Sequence, residues 1–381
     1  MLMDLINKKN AVSSIIEQNI ISRSNKGKSF SMSHAKLIVF SKEIAEKGVK
    51  DMIETLVRSE EIRPDVFIAV ANTTANDYLT SVNPEMEVNP AQYYQLIYQK
   101  NQLVGIPDGQ LREFFTGLYT DNYDSILPVA GVIEGAGGNS QNDDKGQSKD
   151  GQNEGSEGSS ESLDSFESKS SDDKDENEKE KDAEKNTSKY EYDIKNYVGG
   201  ETAIEKKNKA EAIGAAVFEK DKMVGELGEV ETEICKMLKG DYTYSYLTYY
   251  NNDTPDIPIT VKTTQQKKPK YKIDTDKKTV DIELYIESDL YSLPADYNVE
   301  NKIEDFERDV ANYTSSACTE FINNFTKKYN SDILKLNEKV KYKFLTNNQY
   351  NWFKKNVGWS EYKFSVCTNF KVRRTGLIVR E

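Results

Sequence analysis

Two short apolar runs with a helical stretch between them limit the fold of this chain more than any other feature. Lys36-Leu37-Ile38-Val39-Phe40 is a run of strand length, and Asp65-Val66-Phe67-Ile68-Ala69-Val70-Ala71 is a second. Between them Val49, Met52, Ile53, Leu56 and Val57 fall at i, i+3, i+4, i+7 and i+8, which places them on one face of a helix. Ser41 stands at the N-cap position, and Arg63-Pro64 breaks the helical stretch. Strand, crossover helix and strand within about 36 residues make a βαβ unit, and strands without polar alternation are covered on both faces.

The same reading extends along the chain. Val12, Ile15, Ile16 and Ile20 recur at helical spacing ahead of the unit. After it come helical patterns at 90–100 and 108–119, the second with a stripe of Leu111, Phe114, Phe115 and Leu118. Ile126 to Ile133 reads as a strand. Ile213 to Phe218 and Met223 to Leu227, joined by four polar residues, read as a hairpin. A helix with Val230, Ile234, Met237 and Leu238 on one face ends at Gly240. Thr279 to Ile286 alternates polar and apolar, the pattern of a half-exposed strand. Beyond Pro294, Ile303, Phe306, Val310, Tyr313, Ala317, Phe321 and Phe325 mark one long helix, about 28 residues and so about 42 Å. A helix of that length needs a whole sheet to lie on, and Tyr362 to Val379 supplies further strands.

Composition matters at one place. Residues 139–189 hold 16 acidic residues and 8 Lys, with one Leu and one Phe as the large apolar residues. That tract carries −8 of the formal charge of −13, so the rest of the chain is only mildly acidic. It cannot bury enough apolar surface to offset ordering at about 1–2 kcal/mol per residue, so disorder is expected there. The fold expected is mixed α/β and α+β, in three sheet-based domains with flanking helices. These are an N-terminal α/β domain over 1–125, incomplete at its start, a middle domain over 126–240 interrupted by the acidic tract, and a C-terminal α+β domain over 241–381 in which a sheet packs on the long helix.

Few residues tempt a chemical reading. His34 is the one histidine, it directly precedes a strand, and no GxSxG turn accompanies it. Cys235, Cys318 and Cys367 are far apart and odd in number, which gives no zinc or thioredoxin-like spacing. The plainer reading is three buried thiols acting as small apolar side chains, and the count allows one disulfide. Gly135-Ala136-Gly137-Gly138 lacks the Lys-Ser/Thr of a phosphate-binding loop and reads as a linker. Carboxylates abound, but no pair stands out as an acid/base couple. No catalytic, cofactor-binding or metal-ligating residue is therefore singled out, and no cofactor is expected. Concentrated positive charge for nucleic acid is missing. Tyr242, Tyr244 and Tyr246 alternate, with Tyr249 and Tyr250 behind, either as an aromatic platform for a sugar or as an ordinary strand of a tyrosine-rich chain. Lys267-Lys268-Pro269-Lys270-Tyr271-Lys272 either meets anionic headgroups or blunts an edge strand. No run of about 18 apolar residues exists to span a bilayer, and Met1 to Lys8 is not a signal peptide.

Several segments in order resemble a known family. Ser33-His34-Ala35-Lys36 with the run to Gly48, then Leu56 to Pro64, are similar to part of the first domain of Ger(x)C proteins, the C subunit of spore germinant receptors. Gly214 to Phe218, Val224-Gly225-Glu226-Leu227 and Glu231-Thr232 resemble that family's middle region. Ser331-Asp332-Ile333-Leu334-Lys335-Leu336 and Trp359-Ser360-Glu361 resemble its C-terminal region. The resemblance implies a non-catalytic lipoprotein of three α/β domains on the outer face of the spore inner membrane, partnered by membrane-embedded A and B subunits. Members of that family begin with a leader, a lipid-bearing cysteine and the first strands of the first domain. The resemblance here starts inside that domain and the first Cys is Cys235, which reads as a shortened gene model or a truncated paralogue, with the lipid anchor missing from the sequence as given. Two other classes stay open: an extracytoplasmic ligand- or glycan-binding protein using the tyrosine-rich strand, and a carboxylate-based hydrolase.

Overall fold

The computed structural model describes residues 32–83, 89–99, 105–120, 122–133, 196–201, 209–251, 254–292, 299–329 and 331–375. The helix expected at 12–20, the acidic tract and the 135–138 linker lie outside the described residues. Elements run in the order β1 (Leu37–Ser41), α1 (Lys42–Lys47), α2 (Lys50–Arg58), β2 (Phe67–Ala71), α3 (Ala75–Ser81), α4 (Pro90–Tyr98), α5 (Leu111–Thr120) and β3 (Ile126–Val132). There follow β4 (Ala210–Glu219), β5 (Lys222–Leu227), α6 (Glu229–Lys239), β6 (Tyr244–Asn251), β7 (Thr254–Thr264), β8 (Lys270–Asp274) and β9 (Thr279–Ser292). The chain continues through α7 (Val299–Tyr329), α8 (Leu336–Val340), α9 (Asn347–Asn356) and β10 (Lys363–Arg374).

The βαβ reading holds. β1 and β2 pair in parallel with Leu37 opposite Phe67 and Ser41 opposite Ala71, and β3 adds in parallel beside β2. β4 and β5 then continue the sheet antiparallel, giving the order β1-β2-β3-β4-β5. Both faces are covered, as continuous apolar strands require. Phe40, Ile68 and Val70 point to a core with Ile53 and Leu56 of α2 and Leu111 and Phe114 of α5. Val39, Phe67, Ala69 and Ala71 point to the opposite core, where Tyr78 and Tyr98 share a buried hydroxyl–hydroxyl hydrogen bond of 2.9 Å. The expected boundary at 125/126 falls within this sheet, because β3 sits between β2 and β4. The β4–β5 connection is tighter than expected: two residues, Lys220 and Asp221, turn the chain, with Lys220 at φ 57.

The second sheet has the order β10-β9-β7-β6, with β8 pairing β9 in line with β7. β9 alternates buried and open residues along nearly all its 14 residues, as the period-2 pattern predicts. The long helix is α7, 31 residues or about 46 Å. It joins β9 to β10, which pair in parallel from Lys363 opposite Thr279. The second sheet thus contains its own βαβ crossover. The buried stripe of α7 runs Phe306, Val310, Cys318, Phe321, Ile322 and Phe325, moving to Cys318 where Ala317 was expected.

The two sheets share one core. Val217 and Leu227 of the first, Cys235 and Leu238 of α6, Val280, Ile282 and Leu284 of β9, and Phe321 and Phe325 of α7 form a single apolar cluster. α6 ends as predicted at Gly240, which adopts φ 80. Gly225 on β5 leaves room for the ring of Tyr329 at the end of α7; a Cβ there would fall 2.3 Å from that ring.

Candidate functional site

The residues that tempted a chemical reading are scattered. His34 is exposed in the turn before β1. Cys235 and Cys318 are buried, and burial pushes their thiols up to about 11 and about 12. Cys367 corrects the expectation of three buried thiols. On β10 it shares the outward register of Ser365 and Asn369, so it is exposed. All three thiols are free. Among the described residues no group of three or more His, Cys, Asp or Glu could hold a metal. A cleft beside α6 brings Asp108 and Asp241 close to Lys236, but its free volume is about 20 Å³, room for about one water. Lys236 donates to the carbonyl of Ile106 at 3.0 Å, and burial brings its ammonium down to about 8.

A polar seam joins the two sheets. Asp332 follows α7, and Asp124 precedes β3. The Asp124 N–H donates to the Asp332 carbonyl at 3.0 Å, and the Asp332 N–H returns to Asp124 Oδ2 at 2.8 Å. Asp124 Oδ1 accepts from the N–H of Lys220 in the β4–β5 turn. The Asp332 carboxylate accepts from the Leu336 and Asn337 N–H groups at 2.7 and 2.8 Å, satisfying the start of α8. Burial is the main cause that raises this carboxyl to about 7; the two backbone donors oppose the rise. Asn337 Oδ1 accepts from Trp359 Nε1 at 3.2 Å, and the Tyr350 hydroxyl lies 3.1 Å from Asn122 Oδ1 and from the Asn337 carbonyl. Through Asn337, which bonds both Asp332 and Trp359, the 331–336 and 359–361 segments meet as parts of one junction.

A second arrangement protects the outer edge of β10. Its N–H groups at Phe364, Val366 and Thr368 donate to Asn323 Oδ1, Thr319 Oγ1 and Ser315 Oγ of α7, at 3.1, 3.0 and 2.9 Å. Asn323 Nδ2 also donates to the Phe364 carbonyl at 2.9 Å. Farther along, the Val372 N–H donates to Glu307 Oε1 at 2.8 Å, while Lys371 pairs with the same carboxylate. Side chains of the helix thus occupy the place of a further strand, which guards an edge that would otherwise template pairing.

The face of the second sheet turned away from α7 is open. It carries cross-strand pairs: Arg373 with Glu287 at 2.7 Å, Asn369 with Glu283 at 3.0 Å and Ser365 with Asp281 at 2.6 Å. Lys270 meets Glu283 at 3.7 Å and the Tyr285 hydroxyl at 2.8 Å, with Lys267 over the same ring. The basic 267–272 run therefore sits at the β7–β8 connection and on β8, partly engaged by neighbours. Tyr244 and Tyr246 of β6 and Tyr291 of β9 form a chain of exposed rings, with centroids 6.5 and 5.2 Å apart. Tyr242 is not part of it: it is buried against Thr263. The side chains of Tyr249 and Tyr250 lie outside the described residues.

Sequence reasoning missed both the seam and the guarded edge. The signal for the seam was present, in an Asp placed four residues before Leu336 at the end of a long helix.

Comparison with known proteins gives three findings. A family model described as spore germination protein, N-terminal domain, matches residues 6–132. One described as spore germination B3/GerAC like, C-terminal, matches 213–376, so the two together span well over half of the chain. A crystal structure of the GerBC protein has a similar fold, with a TM-score of 0.56 at 13% identity, covering 92% of this chain and 82% of that one. A comparison with curated proteins found no match.

Proposed function

Because the chain belongs to the Ger(x)C family, the C subunit of spore germinant receptors, we propose that it acts in nutrient-triggered spore germination by assembling with the membrane-embedded A and B subunits, without catalysing a reaction. The observation that carries this reading is the pair of family models, in order, on either side of the acidic tract. The side-chain chemistry agrees with it. Asp124 and Asp332 are spent on joining the sheets, and the carboxylates of the open face are set in cross-strand pairs. None of the described helices is long and apolar enough to cross a membrane. The proposed location is the outer face of the spore inner membrane, held there by a lipid anchor and by the two partners.

Deleting the gene is expected to abolish the response to particular germinants while spores still form. Affinity capture of the tagged chain from detergent-solubilised spore membranes is expected to recover the A and B subunits. Normal germination in a strain with no second copy of the gene, or capture without either subunit, overturns the proposal.

The exposed Tyr244, Tyr246 and Tyr291 favour one second reading, a flat-ligand or glycan platform. Titration of tyrosine fluorescence with peptidoglycan fragments tests it. Saturable micromolar binding that Tyr246→Ala removes supports it, and no binding sinks it.

A further inference from the structure

The segment from Lys339 to Ser360 differs from the rest of this acidic chain. It holds five Lys and neither Asp nor Glu, in a protein of formal charge −13. It also displays three of the most exposed large apolar side chains: Leu345 at 95%, Tyr342 at 80% and Trp352 at 65%. Their placement is fixed from beneath. Phe344 packs on Phe353 with ring centroids 5.0 Å apart, and Tyr350 and Phe353 form the inner face of α9. Phe344 faces in, so its neighbour Leu345 is turned out. Trp352 and Lys355, three residues apart on α9, share the outer side of that helix. Lys343 and Lys354 are engaged by the Ile273 carbonyl and Asn122; Lys341 is exposed with its ammonium 5.8 Å from the Tyr350 ring centroid, and Lys355 is exposed. Asp274 is a nearby acid, acting on Lys343.

We propose that this 341–356 protrusion is a contact site for an anionic lipid surface, with Tyr342, Leu345 and Trp352 entering the headgroup region and Lys341 and Lys355 meeting the negative charge. Amphipathic Trp and Tyr rings settle at the boundary between water and hydrocarbon, and flanking Lys residues add attraction to acidic headgroups. Each of the three side chains stands out into water. That suits insertion between headgroups better than the close-packed centre of a protein interface. The charge of the segment, opposite to that of the whole chain, decides for an anionic surface. The inference does not rest on assembly with other subunits, because it is tested on the purified chain alone.

The test is co-sedimentation of the full chain with vesicles of phosphatidylcholine, with or without phosphatidylglycerol, together with tryptophan emission. The chain has two tryptophans, and Trp359 is buried, so Trp352 is the responsive reporter. Binding to the anionic vesicles, a blue shift in emission and quenching by brominated acyl chains are expected. Leu345→Glu is expected to weaken binding by about tenfold or more. Because Leu345 touches little, that variant should keep the native melting temperature. Trp352→Ala, followed by sedimentation, is a second variant with the same expectation. The proposal is overturned by no sedimentation at low ionic strength, or by binding that both variants leave unchanged. Binding without a blue shift, equally well competed by inorganic phosphate, also overturns it. So does a photo-crosslinker at position 352 that captures a protein while vesicles fail to bind.

Discussion

The guarded edge of β10 makes a sharp energetic prediction at Asn323. Its amide satisfies both backbone groups of Phe364, accepting from the N–H at 3.1 Å and donating to the carbonyl at 2.9 Å. Phe364 is 1% exposed, so these backbone groups lie at the margin of the core. Asn323→Ala removes both bonds to Phe364, along with the Nδ2 bond to the Thr319 carbonyl, and strands both Phe364 groups at about 1–3 kcal/mol for each unsatisfied buried group. Edge water recovers part of the loss, and alanine's better helix propensity returns about 0.5 kcal/mol. The net expectation is a loss of about 2–3 kcal/mol, a large share of a typical stability of about 5–15 kcal/mol. Urea unfolding of the full chain measures it as a lower midpoint with unchanged slope. Amide exchange at Phe364 should accelerate by about 30- to 150-fold where local opening controls it. Glu320→Ala, on the exposed side of the same helix, is the control and should stay within about 0.5 kcal/mol. If Asn323→Ala shifts the urea midpoint no more than Glu320→Ala, and Phe364 exchange is unchanged, the edge-guard reasoning is wrong.

Removing the whole row with Ser315→Ala, Thr319→Val and Asn323→Ala together should expose the β10 edge and give concentration-dependent self-association, read by analytical ultracentrifugation. Asp332→Ala should cost about 2–4 kcal/mol, because it leaves the Leu336 and Asn337 N–H groups without an acceptor inside the seam. For pH, the native Asp332 carboxyl titrates near about 7 and the unfolded one near about 3.9, so the native state holds more protons between those values. Its contribution is therefore full below about pH 4 and is lost as pH rises to about 7; Asp332→Asn should remove that decline, seen in denaturation curves of both proteins across the range. Thiol titration with a disulfide reagent should find one fast group, Cys367, and two more only on unfolding, Cys235 and Cys318; three fast or no fast thiols would contradict the burial pattern.

What the sequence could show depended on whether a signal is local. The βαβ unit at 36–71 was legible because continuous apolar strands and an i, i+3, i+4 helix leave little choice about what covers what. β9 and α7 were legible for the same reason, and so was Gly240 as the residue that ends α6. Cys367 departs from the expectation because residue type alone says buried, while its strand register, shared with Ser365 and Asn369, turns it outward. The family segments at 331–336 and 359–361 could be recognised, but their role could not. Asp332 finds its partner Asp124 208 residues away, and a hydrogen bond across such a separation leaves no periodic trace.

The guarded edge shows why a polar helical stripe misleads. Ser315, Thr319 and Asn323 recur every four residues, a spacing that by itself reads as a solvated face. In the structure the stripe meets every second residue of a strand running the other way: Asn323 with Phe364, Thr319 with Val366, Ser315 with Thr368. Four helical residues advance about 6.0 Å and two strand residues about 6.6 Å, so the two rows stay in step over several repeats. Carried on, the rule pairs position 311 with Phe370 and Glu307 with Val372. Position 311 is Ala and offers no side-chain acceptor, and the next repeat resumes at Glu307, which accepts from Val372. The glutamate's longer side chain covers the slip that accumulates by then. A short polar stripe on a crossover helix is thus a signature of edge cover when a strand with alternating burial follows it, and the match of 6.0 to 6.6 Å limits such cover to about four or five repeats before the rows drift apart.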